Sequence, residues 1–187
     1  MRVLLCALVL AVVPLSAHTV LPTAFPEVVA QSSLILRGRV TDVRAVRNPE
    51  RGVESIATVA VDHVLKGGSS PFVSVHVPGG LIGRTRTIVS GAPTLREGDQ
   101  AVFFLMRAAD NGWHPIGLSM GVYRVRTDAR TGVPIVNPPL VAGVTASSGP
   151  VVRGDARRQP YTVSEFESLV RLVMLTKTPS TPVRRSR

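Results

Sequence analysis

Cysteine is almost missing from this chain of 187 residues: the single one is Cys6, inside an apolar N-terminal run. If that run is removed, no thiol remains, which excludes disulfides and thiolate chemistry even in a compartment that would permit bridges. Aromatics are sparse too, with one Trp, two Tyr and five Phe. A flat aromatic platform for sugar rings or unstacked bases is therefore not expected. The 22 basic residues include only two lysines, Lys66 and Lys177, so the positive charge is almost all guanidinium. Neither HxH nor HExxH occurs, and no glycine loop ends in GK[ST]. The longest apolar run, Val3 to Val13, is too short to span a bilayer comfortably.

What is present begins with MRVLLCALVLAVVPLSAHTV. One positive charge at Arg2, the apolar run, Pro14 and the small residues Ser16 and Ala17 form the three-part layout of a secretory signal peptide. We expect residues 1–17 to be cleaved, so that the chain begins at His18 and is secreted or periplasmic, with no membrane attachment afterwards. Removal of Arg2 takes the formal charge from +10 to +9. Such an arginine-rich surface suits anionic partners, because the guanidinium fork pairs with phosphate, sulfate or carboxylate. The pairs Arg37/Arg39, Arg84/Arg86 and Arg124/Arg126 are spaced by two, which on a strand puts both members on one face.

The apolar pattern repeats mostly every second residue. LILRGRVTDVRAV (34–46) reads as a long strand with Gly38 as a bulge or bend, NPERG as a turn, and ESIATVAVDHVL as a second strand to about Leu65. In FVSVHV, Val73, Val75 and Val77 fall on one face and Phe72, Ser74 and His76 on the other. TRTIVSG, QAVFFLMR, WHPIGLS, GVYRVRT and GVPIV read as further short strands between the turn signals REGD, DNGW and DARTG. In GVYRVRT the inward pair is expected to be Tyr123 and Val125, leaving Arg124 and Arg126 to solvent. Two helices are expected. A short one lies in TAFPEVVAQSS, with Thr23 as cap and Pro26 in the first turn. A C-terminal one lies within 161–178, with a capping box at Thr162/Glu165 or Ser164/Glu167 and an apolar stripe of Val163, Phe166, Leu169, Val170 and Val173. The fold class is thus mainly β, a small closed antiparallel barrel over 18–136, with a loop excursion at 137–160, the helix packed on the barrel, and a disordered tail at 179–187.

Candidate sites are weighed against that framework. VPGGLIGRTRTIVSGAP (77–93) is glycine-rich, but Arg84 and Thr85 follow the glycine and TRTIVSG is β-like, so Gly79 and Gly80 read as turn residues and not as a phosphate cradle. Ser119 in GLSMG fits G-x-S-x-G by letter, yet GVYRVR follows where a nucleophile elbow needs a helix. Glu97 and Asp99 in REGDQ sit in a turn, where acidic residues are common. His18, His63, His76 and His114 have no metal spacing. His76 is placed on the outer face of its strand, and His63 is ambiguous. A free N-terminal His18 could chelate copper through its amine and imidazole. Phe103 and Phe104 read as core, so specific nucleic-acid binding is not expected. No catalytic, cofactor or metal residue is assigned.

The order RGRVTDV, VLKGG, VPGG, APTLREGDQAVFFL, GLSMGVYRV resembles a group of uncharacterised exported bacterial proteins with an R-G-x-V strand, a V-L-K-G turn, an F-x-x-G-E-x-x-V-L-F-L segment and a G-x-x-x-G-x-[FY]-x-V hairpin. The likeness covers about Leu34 to Val125, with Leu95 and Asp99 standing where that pattern has Phe and Glu. More distantly the chain is similar to the netrin and tissue-inhibitor type of OB barrel, secreted modules that bind a protease or matrix partner. The tissue inhibitors reach the protease zinc with an N-terminal cysteine, and this chain has none to carry that role. The resemblance implies a noncatalytic exported module for a protein or anionic polymer partner. The rival expectation is an enzyme using a copper-bound His18 or the hydroxyl of Ser119.

Overall fold

The computed structural model describes residues 25–49, 51–68, 70–137 and 160–176. Period-two apolar patterning produces β1 (Leu34–Asn48) and β2 (Gly52–Lys66), which pair antiparallel along their whole length. The first part of β1 must also pair on its other edge with β6 (Gln100–Arg107), so the strand has to bend. Gly38 allows it: the β1–β2 register shifts between Arg37 and Gly38, and a Cβ there would strike the Ala60 carbonyl and lie 2.6 Å from Val59 Cγ1. The bend expected at this glycine is a bulge between closely approaching backbones.

β3 (Phe72–Pro78) pairs antiparallel with β2, and β7 (Trp113–Pro115) pairs antiparallel with β6. A single parallel bridge, Val75 to Trp113, joins β3 to β7. Five strands, β1, β2, β3, β7 and β6, therefore form a hydrogen-bonded ring. Beyond β6 the sheet continues through β8 (Val122–Thr127), β9 (Pro134–Asn137) and β10 (Tyr161–Thr162). A separate hairpin is made by β4 (Gly80–Ile82) and β5 (Thr85–Thr87).

Both faces of the first part of β1 and of Ala101–Leu105 in β6 are buried, which is why AVFFL lacks polar alternation. Leu36, Val40, Val59, Val75 and Phe103 point into the core enclosed by the ring. Ile35, Val102, Phe104 and Tyr123 point the other way and are covered by α1 (Phe25–Gln31) and α2 (Val163–Leu175). Phe25, Phe104, Tyr123 and Phe166 form an aromatic cluster there, with ring centroids 5.0 to 6.3 Å apart. Phe166 and Val170 are the buried residues of α2, each stabilising by about 1.5–3 kcal/mol relative to exposure. The helix starts with a full capping box, Thr162 with Glu165. It lies on the outside of the ring strands, as a cover and not a plug.

Several expectations are corrected. Within TRTIVSG only Thr85–Thr87 is strand, because it pairs with the short β4 and no strand among the described residues pairs with 88–91. Within WHPIGLS the strand stops at Pro115, and Leu118–Gly121 forms a 3-10 turn after Gly117 at φ 56. Arg124 is not left to solvent: its guanidinium donates to Asp99 Oδ2 at 2.7 Å and to the Thr94 carbonyl. Thr23, residues 138–159 and the tail from 177 lie outside the described residues. No described helix is long and apolar enough to cross a membrane.

Candidate functional site

The glycine-rich stretch 77–93 contributes chain reversal. Gly79 and Gly80 have φ 92 and 154, and Gly83 at φ 59 turns the β4–β5 hairpin, so a strand follows where a phosphate loop would need a helix. Ser119 lies in the 3-10 turn, which leads into β8. Among the described residues its hydroxyl has no histidine hydrogen-bonded to it, and the helix a nucleophile elbow requires is not there. Asp99 serves its turn and β8, accepting from the Arg96 amide at 2.9 Å and from Arg124. Glu97 is exposed, and His18 lies outside the described residues. His63 is no longer ambiguous: its Nδ1 is 2.9 Å from Glu167 Oε2, while Arg37 Nε is 3.1 Å from Glu167 Oε1, so β1 and β2 are tied to α2.

Two surfaces remain that gather charged or metal-ligating side chains. The first is an open groove of about 470 Å³ lined by Arg39, Gly98, Asp99, Gln100, Arg124, Arg126 and neighbours. Strand pairing places it: Arg39 lies opposite Gln100, and Gln100 opposite Val125, so β1 brings a third arginine beside the β8 pair. Three guanidinium groups face one carboxylate there. Asp99 is already engaged by Arg124, while Arg39 and Arg126 are exposed and have no ion pair among the described residues.

The second surface lies where the β1–β2 turn meets the β6–β7 turn above β3. His76 from β3 and His114 from β7 stand with ring centroids 5.3 Å apart. Asp110 joins them from the turn Ala108–Gly112, in which Asn111 takes φ 60, and one ligand atom from each of the three residues lies within 4.8 Å of the others. Asp110 Oδ1 accepts from the Gly112 amide at 2.9 Å. Its Oδ2 accepts from Arg51 Nη1 at 2.7 Å and lies 3.3 Å from His114 Nε2. The Gly112 amide foremost, then His114 and Arg51, hold the Asp110 carboxyl down to about 2. Behind His76 sits the buried Glu54, whose Oε1 is 3.6 Å from His76 Nδ1 and accepts from Asn48 Nδ2 at 3.4 Å. His76 is thus half-buried against a carboxylate, not simply outward-facing, with its Nδ1 lacking a hydrogen-bond partner among the described residues.

Sequence reasoning missed this grouping, since the two histidines are far apart in the chain and only the β3–β7 bridge unites them. The one local signal was Asp110 and His114 flanking the DNGW turn. No protein-family model matches the chain, and no curated protein matches it.

Proposed function

We propose that this protein is an exported, noncatalytic binding module whose arginine groove docks an anionic partner, either an acidic polymer or an acidic protein surface. The signal-peptide layout of residues 1–17 supports export. The ring of five strands supports the small closed OB or netrin-like barrel expected from the sequence, except that β3 and β7 meet in parallel where an antiparallel sheet was expected. The observation that carries the reading is the groove itself: Arg39 and Arg126 have no acidic partner among the described residues, beside an Arg124 already held in place. A pre-oriented guanidinium pays less entropy on pairing with sulfate, phosphate or carboxylate, and its neighbours add attraction. Base stacking is a poor alternative, because the aromatics are largely consumed in the cluster beneath the helices.

Heparin chromatography of the processed protein tests this. Retention should be released by salt, and the Arg39→Ser/Arg126→Ser pair should elute at clearly lower salt with an unchanged circular dichroism spectrum. Absence of retention, or equal elution of the variant and the parent, would remove the groove from consideration. Capture from culture supernatant, compared between the two forms, then separates a protein partner from a polymer.

A further inference from the structure

We propose that His76, His114 and Asp110 form a binding site for one divalent transition-metal ion of the zinc class, with Arg51 as an internal cation that occupies the site in the ion's place.

Two imidazoles and one carboxylate are ligands zinc accepts, and three protein ligands leave a fourth position for water or a partner's group. Zinc with bonds of about 2.0–2.2 Å in tetrahedral array places its donor atoms about 3.3–3.6 Å apart. The His114 Nε2 to Asp110 Oδ2 distance of 3.3 Å already meets this, and the outer limit of 4.8 Å for the trio leaves a small inward turn of His76.

A Cβ on Gly112 would lie 3.0 Å from His114 Nε2, 3.1 Å from Asp110 Oδ1 and 3.3 Å from His76 Cδ2, the carbon bonded to Nε2. The Nε2 edges of both rings therefore face one small space that Gly112 keeps open. The opposite nitrogen of His76 faces Glu54, which is 6% exposed. At 3.6 Å from Nδ1 this carboxylate is beyond hydrogen-bond range, but its charge favours a proton on Nδ1, the tautomer that leaves Nε2 free for metal.

Among the described residues, the guanidinium of Arg51 is held by the same groups alone, 2.7 Å from Asp110 Oδ2 and 3.4 Å from His114 Nε2. It is 38% exposed and can swing out to water when a more highly charged cation arrives. An ion in its place would bridge β3 and β7 across the single parallel pair that completes the ring.

The test is calorimetric titration of Zn²⁺ into chelator-treated, dialysed protein, with Co²⁺ absorption as a report on ligand geometry. One ion per chain is expected, with visible d–d bands of a low-coordinate site. His76→Gln and His114→Gln should each abolish this binding, Glu54→Gln should weaken it by about 10–100-fold, and Arg51→Gln should tighten it. Gly112→Ala guards against variants that fail to fold, since its methyl enters the ligand space at a backbone angle open to any residue; it should block the ion while leaving the circular dichroism spectrum intact. No binding at micromolar Zn²⁺, or binding that survives the two histidine changes together and so belongs to His18 or His63, would overturn the proposal.

Discussion

At the scale of single residues, the positions that matter most are those where a neighbour leaves no room or no water. Gly38 is one: its missing side chain admits the Ala60 carbonyl, so Gly38→Ala must push β1 and β2 apart. We expect a loss on the order of 2–3 kcal/mol, read as a lower urea midpoint. Tyr123 is another, because burial pushes its phenol up to about 12 from an ordinary 10.0. Its folded-state value lies above the unfolded one, so the neutral phenol's contribution is fully present below pH 10 and is lost as pH rises through about 12. The decline should be on the order of 2 kcal/mol across that window and should flatten in Tyr123→Phe, measured by denaturant titration at a series of alkaline pH values. Neither effect can be read from composition. A glycine in a strand announces a bulge, but the atom it makes room for belongs to another strand.

Elements show where local pattern suffices and where it does not. The long strands β1 and β2, with β3, β6 and β8, were legible because several side chains in a row repeat their burial every second residue, or are apolar on both faces. The strands β4, β5 and β7 have three residues each, too few for a period, and their identity depends on what pairs with them. The C-terminal helix was legible in its stripe and its cap. Thr162→Ala should cost about 1 kcal/mol, since its hydroxyl accepts from the Glu165 amide and the Glu165 carboxylate accepts from the Thr162 amide. Docking of that helix was not legible, because Glu167 finds Arg37 and His63 on two strands far off in the chain. Glu167→Ala leaves both without their carboxylate and should cost about 1–3 kcal/mol, with earlier thermal loss of the helix than of the sheet by circular dichroism. Lys66 plays a quieter role at the other helix: its ammonium donates to the carbonyls of Val29 and Ala30 at the C-terminal end of α1, at 2.9 and 3.2 Å. That end of α1 carries no basic residue of its own, so a strand supplies the positive charge its dipole favours.

The whole molecule is organised by β1, which pairs with β2 on one edge and β6 on the other. Amide exchange should therefore be slowest at Ile35, Leu36, Phe103 and Phe104 and, within the ring, fastest along β7 and the edge of β3 that faces it, where one residue pair joins the strands. A uniform exchange pattern across all five ring strands would contradict this hierarchy. Placement at this scale is also what hid the two candidate surfaces. Arg124 and Arg126 were legible as a pair, yet only strand order adds Arg39 to them, and only the β3–β7 bridge brings His76 to His114. That bridge has one further property. Trp113, the sole indole of the chain, sits in it beneath the guanidinium of Arg107, 4.5 Å from the ring centre. Its emission colour and quenching thus act as a built-in gauge of whether the seam is shut, and a red shift that precedes loss of far-ultraviolet ellipticity would mark the sheet unzipping at that line before the rest gives way.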